Sequence, residues 1–594
     1  MRELKYLNKY LIRYKWRLLF GVLFIILSNI FKVHTAQVIN DSISSMQETA
    51  EKIQDKTITP DIVENLSSDA LTYAGLFILV SVISGIFLFL TRQTIIVMSR
   101  FVEYDLKNDI YKHYQSLSMS FYKLNKTGDL MNRISEDVSK VRMYLGPALM
   151  YTINLCFLFV FVLYNMFRIN VELSLYVLVP LPIMSVLIYR ISRVINAKSE
   201  RVQRQQSAIS SFVQEAFSGI RVLKAYNRNR SFQDNFDEES ELYKQKSLSL
   251  VKTNALFHPV IILLIGLSTI LTIYLGGLKA YSNEISVGDI AAFVIYVNML
   301  TWPFASVGWV TSLVQRAAAS QERINEFLKT EPEIKNPKNG YVVSTGKIEF
   351  KNVTFKYPDT GITALDNVSF VINEGQTVAF TGKTGSGKST IAALISRQFD
   401  PDSGDIFIDG KNIKEVDLNS LRSNIGYVPQ DVFLFSDTVS NNIAFGIDVS
   451  DQAKIEQAAK DALVYDNIIE FKQGFDTMLG ERGVTLSGGQ KQRVSIARAI
   501  IREPKMLIFD DCLSAVDTET ENKILSNLKR IMANRTSILI SHRISTVKDA
   551  DCIFVLNYGK IEDSGKHGEL LEKNTLYREL FEQQLVRGKK IINE

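Results

Sequence analysis

Cysteine is scarce in this chain: three in 594 residues, at Cys156, Cys512 and Cys552. They form no CxxC or metal-ligand spacing, which excludes a disulfide scaffold and gives no sign of an oxidising compartment. Each reads as an inert small apolar residue. Proline and glycine number only 12 and 31, too few for a collagen-like chain, and 46% apolar residues exclude intrinsic disorder. An excess of one charge is also lacking. Against 63 Asp and Glu stand 68 Lys and Arg, and the net of +5 is too balanced for a dedicated nucleic-acid binder. At 594 residues the chain is too long for one compact core. A mean hydropathy of +0.05 is high for a soluble protein and low for an embedded one, as expected of a membrane half joined to a soluble half.

The apolar runs divide the chain near residue 320. Before it lie six, at roughly 18–39, 71–96, 148–167, 173–190, 255–278 and 290–314, and after it none is comparable. Each reaches or approaches the ~20 residues that cross a hydrocarbon layer. Residues 1–17 hold six Lys/Arg without a small-residue cleavage site after the first run, so that run is a retained helix. Segments 1–17, 97–147 and 190–252 hold 6, 8 and 12 Lys/Arg, whereas 40–70, 168–172 and 279–289 hold 2, 1 and 1. The positive-inside rule then expects a multi-pass protein of the cell (inner or plasma) membrane with both termini cytoplasmic. Val97–Leu117 and Ala197–Phe217 pattern as amphipathic helices continuing the membrane helices, and 40–70 as an acidic outer loop. His258-Pro259 suggests a kink. Lys32 and His34, near the outer end of the first helix, suit a cavity or polar partner as well as a lysine that snorkels to water. Asn298, Trp302 and Phe304 suit a cavity wall that stacks on an amphipathic substrate, although aromatic residues at helical spacing more often simply pack.

The second half carries chemistry. Residues 347–356 alternate like strands, and 376–381 reads as a buried strand. Gly382-Lys383-Thr384-Gly385-Ser386-Gly387-Lys388-Ser389 follows, the GxxxxGK[ST] phosphate loop, with a helix beginning near Thr390. Its glycines let backbone N–H groups cradle phosphates, Lys388 reaches the β/γ oxygens, and the Ser389 hydroxyl suits Mg²⁺. Met506–Asp510 reads as a buried strand ending in a carboxylate able to hold Mg²⁺ through its water shell. Leu486-Ser487-Gly488-Gly489-Gln490 opens a further helix with exposed amides. That is a second anion-binding end, which one chain cannot easily aim at the same nucleotide, so it invites a partner's ATP.

With LSGGQ the sequence resembles the ABC ATPases, and over its whole length the exporters that fuse six membrane helices to one nucleotide-binding domain. The resemblance implies an all-α transmembrane domain over 1–320, a linker over 321–345, and an α/β P-loop domain over 346–594. It implies ATP and Mg²⁺ as cofactors, with Tyr357 stacking adenine, Gln430 as the Q-loop residue also facing the metal, Asp517 in the D-loop and His542 as the switch histidine. Phe121-Tyr122 with Thr127–Leu130, and Ser218–Ala225, are similar to the two coupling-helix regions, and Glu481 to the cross-talk residue.

One position departs from the family pattern. The family ends its Walker B strand in Asp-Glu, the glutamate serving as base for the attacking water, whereas here Asp511 follows Asp510. Aspartate is one methylene shorter, so its carboxylate falls roughly 1–1.5 Å short, and general-base placement is worth ~10²–10⁴ in rate. With the signature intact, the expectation is a heterodimer of two half-transporters in which this chain holds the degenerate site. The alternative is a homodimer using Asp511 as base. The expected activity is ATP-driven export of a lipophilic or amphipathic small molecule or lipid through the bilayer. An ATP-gated channel or regulator is the competing class, an importer is disfavoured by the fusion, and nucleic acid is not an expected partner.

Overall fold

The computed structural model of the chain describes residues 3–53, 60–449, 451–480, 486–512 and 518–592. It forms two compact units: Met1–Gln115 with Gly128–Thr330, and Ser116–Thr127 with Glu331–Glu594.

Among the described residues the first unit holds six helices apolar and long enough to cross a membrane, Lys15–Thr49, Leu66–Ser116, Thr127–Ile169, Val171–Ser218, Asn229–Tyr281 and Val287–Lys329. They overrun the apolar stretches because their polar extensions remain helical. Val97–Ser116 and the end of Pro180–Ser218 are the amphipathic continuations expected. The segment 40–70 differs from expectation, since the first helix runs to Ile53 and the second starts at Pro60. Residues 46–53 are mostly good helix formers (Met, Gln, Glu, Ala, Lys) that a hydropathy window scores as polar. Pro259 lacks the N–H that Ala255 would accept, and the fifth helix breaks between Asn254 and Phe257.

Hydrocarbon is as apolar as leucine, so packing and polar pairs hold such helices together. Asn29, 2% exposed, donates to Asn154 Oδ1 at 3.0 Å, and Asn40 to Asp289 Oδ1 at 2.8 Å. Close approach is bought with small residues: a Cβ on Gly146 would lie 2.6 Å from Ser99 Oγ. Three wide π-helical turns, Arg92–Ile96, Arg133–Asp137 and Tyr144–Ala148, interrupt the second and third helices. Leu79, Val82, Ile86 and Phe89 of the second helix face outward, an exposure that lipid tolerates. Along the polar extension of that helix, Asp109 accepts from Tyr10 Oη at 2.7 Å and Asp105 from Tyr14 Oη at 3.0 Å. The buried Asp137 carboxylate is paired, with Ser320 Oγ at 2.8 Å and Arg323 Nε at 3.0 Å.

Among the described residues the second unit contains ten strands: β1 Ile348–Lys356, β2 Thr363–Ile372, β3 Thr377–Gly382, β4 Ser403–Ile408, β5 Lys411–Asn412, β6 Ile425–Val428, β7 Met506–Asp510, β8 Thr536–Ile540, β9 Cys552–Asn557 and β10 Lys560–Gly565. An antiparallel sheet runs β2-β1-β4-β5, and a six-stranded sheet runs β10-β9-β3-β8-β7-β6. In the latter, β9, β3, β8, β7 and β6 are parallel. Strands β7 and β8 are buried throughout, as continuous apolar strands covered on both faces should be. The turn after β4 is fixed by Asp409, whose carboxylate accepts the backbone N–H groups of Ser344, Thr345, Gly346 and Lys347 at 2.7–3.0 Å. These bonds hold the Asp409 carboxyl well below the ordinary carboxylate range, against the opposing effect of burial.

Candidate active site

In open α/β sheets ligands bind beyond the carboxyl ends of the strands. Register pairs Phe380 with Ile540 and Ile540 with Asp510, so β3, β8 and β7 end side by side. The segments leaving them, 382–389, 541–542 and 510–511, therefore meet.

The loop after β3 can only be glycine at its two ends. Gly382 and Gly387 have φ of +147° and +98°, and a Cβ would stand 2.1 Å from Leu556 O and 2.3 Å from Ala364 O. The helix that follows starts at Lys388, two residues earlier than the sequence suggested. Lys388 Nζ folds back to donate to the carbonyls of Gly382 at 2.9 Å and Lys383 at 2.8 Å. Burial pushes its ammonium below the ordinary lysine value, with the carboxylates of Asp511 and Asp510 pulling the other way. Ser389 Oγ donates to Asp510 Oδ1 at 2.9 Å. Asp510 is 2% exposed, and burial raises its pKa while Ser389 opposes the shift.

Asp511 sits in the left-handed region at φ +46°, which aspartate tolerates. Its carboxylate is engaged on both oxygens. His542 Nδ1 lies 3.0 Å from each, and Ser541 Oγ donates to Oδ1 at 3.3 Å. Tyr357, just past β1, bonds Thr390 Oγ1 through its hydroxyl at 3.0 Å, and the Phe355 and Phe399 rings stand nearly perpendicular to its own.

One cavity of about 440 Å³ is lined by Tyr357, Thr384, Gly385, Ser386, Gly387, Lys388, Ser389, Thr390, Gln430, Asp510, Asp511 and His542. That volume suits a small ligand, and an aromatic ring, a glycine cradle and a lysine fit a base and a polyphosphate. Among the described residues no three His, Cys, Asp or Glu could cage an ion alone. A Mg²⁺ at Ser389 and Asp510 would need phosphate oxygens as well. Ser487, Gly488, Gly489 and Gln490 are absent from the lining. They open the helix Gly488–Ile500, where Ser487 Oγ accepts from Gln490 N at 3.3 Å and Gln490 Oε1 from Ser487 N at 2.9 Å. This capping box consumes two of the amides, and Gly488 and Gly489 head the helix at an exposed corner. Glu481 and Asp517 lie outside the described residues.

Three cavity neighbours had escaped the sequence reading. Tyr427 bonds Asp510 and stands three residues before Gln430, so its nearness in sequence is the signal that locates it. Ser541 directly precedes His542. Lys123 lines the cavity but lies too far away in sequence for any spacing rule to find. In the membrane half, Phe304 packs edge-on against Phe159, Asn298 donates to Val294 O in its own helix at 2.7 Å, and Trp302 is exposed. His34 bonds Gln37 at 2.6 Å, and Lys32 is exposed.

Residues 18–304 match the family model for the ABC transporter transmembrane region, and 365–514 that for the ABC transporter. Among relatives, the "Probable multidrug resistance ABC transporter ATP-binding/permease protein YheI" of Bacillus subtilis is 35% identical over 88% of this chain and 91% of its own length. The multidrug resistance-like ATP-binding protein MdlA of Escherichia coli is 34% identical over 86% and 87%. The ATP-dependent lipid A-core flippase of Photobacterium profundum is 33% identical over 88% and 90%. A bacterial Atm1-family ABC exporter solved with ATP bound superposes with a TM-score of 0.78 at 26% identity, covering 96% of this chain and 98% of that one. A multi-pass membrane half and a phosphate-loop ATPase in one chain, matched nearly end to end, make this protein a member of the ABC transporter family: an exporter-type half-transporter that binds ATP, couples its hydrolysis to transport, and belongs to a class that works as dimers.

Proposed function

We propose that the chain exports a lipophilic or amphipathic small molecule or lipid by alternating access, as the degenerate-site half of a heterodimer. The observation that carries the pairing is the Asp511 carboxylate, short by a methylene and bonded on both oxygens to His542. A base so engaged is poorly placed to take a proton from water. The intact signature helix, outside its own chain's cavity, is left to complete a competent site on another subunit. The substrate class follows from relatives named for multidrug resistance and for a lipid A-core flippase.

In this reading Tyr357 stacks the adenine, the amides of Lys383–Thr390 and the Lys388 ammonium hold the phosphates, and Ser389, Gln430 and Asp510 face Mg²⁺, which supplies charge neutralisation of the phosphates when bound. His542 orients toward the γ-phosphate, and Ser487–Gln490 receive the partner's. Both termini and the ATPase lie in the cytoplasm, by the distribution of loop charge.

Purification is the first test: two co-purifying bands of similar mass support the pair. Asp511→Asn should then leave most of the ATPase rate intact, while Gln at the partner's catalytic glutamate lowers it by roughly 10²–10⁴. A single band whose ATPase collapses on Asp511→Asn would establish the homodimer instead. Uphill flux in proteoliposomes separates a pump from an ATP-gated channel.

A further inference from the structure

The segment Ser116–Thr127 belongs to the ATPase unit although its flanking helices belong to the membrane unit. Its short helix, Met119–Leu124, carries Lys123. The Lys123 ammonium stands 3.8 Å from the centre of the Tyr357 ring and 5.6 Å from that of Phe399. Among the described residues no carboxylate forms an ion pair with it, so the aromatic face is its partner. Phe355 and Phe399 stand nearly perpendicular to the Tyr357 ring, at 81° and 87°, and hold it in place. Lys123 and Tyr357 both line the cavity that also contains the phosphate loop.

A cation drawn by the ring quadrupole and a purine stacked in an offset both occupy an aromatic face, and one face holds one of them at a time. We infer that Lys123 is a latch on the adenine subsite: without nucleotide its ammonium covers the Tyr357 face, and a purine that stacks there displaces it. The inference rests on reading this cavity as the ATP site. It adds a route for the signal. Met119–Leu124 is covalently continuous with the helices ending at Ser116 and starting at Thr127, so the base, and not only the terminal phosphate, is registered by the membrane half. Nucleotides with a weakly stacking base should release the latch less completely.

The test uses the full-length transporter in nanodiscs and photo-labels this chain with azido-ATP. Unlabelled ATP competes in one series, and inorganic tripolyphosphate, which has no base, in the other. A cation–π contact at a partly exposed site is worth ~0.5–1 kcal/mol, so Lys123→Met should tighten competition by ATP about two- to fivefold. It should leave tripolyphosphate unchanged. In a Tyr357→Leu background the same substitution should do nothing. Unchanged ATP competition in Lys123→Met overturns the latch. So does weaker competition by both ligands, which would make Lys123 a phosphate contact. Lys388→Ala is the separate control, since labelling that survives it rejects the ATP-site reading itself, whatever Lys123 does.

Discussion

Replacing Gly387 by alanine isolates the geometric demand of the phosphate loop. The residue has φ +98°, and an added Cβ would meet Ala364 O at 2.3 Å and Leu365 Cδ2 at 2.9 Å. Left-handed backbone costs an alanine about 1–2 kcal/mol. The oxygen contact is about 1 Å shorter than ordinary van der Waals separation and involves backbone, which cannot rotate aside, adding ~1–3 kcal/mol. Together these weaken ATP binding by about 30-fold to a few thousandfold. Gly385 provides the internal control, because it has φ +81° but nothing within 4 Å of its Cβ. Gly385→Ala bears only the backbone term, roughly five- to thirtyfold. Equilibrium photo-labelling with azido-ATP reads both variants, and a thermal melt of each shows whether the cost falls on binding or on folding. Equal losses in the two variants, or Gly387→Ala within fivefold of the parent, would refute the reasoning.

Gly488→Asp puts a carboxylate at an exposed helix N-terminus outside this chain's own cavity, where it repels an incoming phosphate. Transport and dimer ATPase should be lost while azido-ATP labelling of this chain persists, and an unchanged ATPase rate would reject a site shared between subunits. Asp409→Asn removes a charged acceptor of four backbone N–H groups and should cost about 1.5–3 kcal/mol near pH 7. Because folding lowers the Asp409 pKa, its contribution is complete above the unfolded value of about 3.9 and is lost as pH falls toward the folded one. Melts of parent and variant should therefore differ fully at pH 5–7 and begin to approach each other only below about pH 4; a gap independent of pH would assign the effect to shape.

Much of the site was legible because its residues are local in sequence. The phosphate loop is one run beside a strand, and the carboxylate of Asp510 ends another, so periodicity and spacing locate both. Six apolar stretches were visible for the same reason. Hydropathy could not find the ends of those helices, since Asn229–Asn254 and the residues up to Ile53 are polar and helical at once. Nor could it find the wide turns, which coincide with close approaches such as Gly146 to Ser99 and have no local signature. Lys123 and the Asn29–Asn154 pair were hidden because each joins residues more than a hundred positions apart. The capping box at Ser487 and Gln490 is written in the sequence as a serine followed by glutamine three residues later.

The wide turn at Arg92–Ile96 has a consequence for how the second helix is phased. A π-helical turn takes up one residue more than an α-helical one, and one residue is about 100° of rotation. Everything beyond Ile96 is thus turned by that angle relative to an uninterrupted helix drawn from the same apolar stretch. Asp105 and Asp109 reach Tyr14 and Tyr10 from the face this offset selects, and the same offset sets the different direction in which Ser99 meets Gly146. Deleting a single residue within 92–96 would let the turn relax to α-helical geometry. It would also swing both carboxylates away from their tyrosines, so the inserted residue acts as a phase-setting spacer between the apolar stretch and its polar extension.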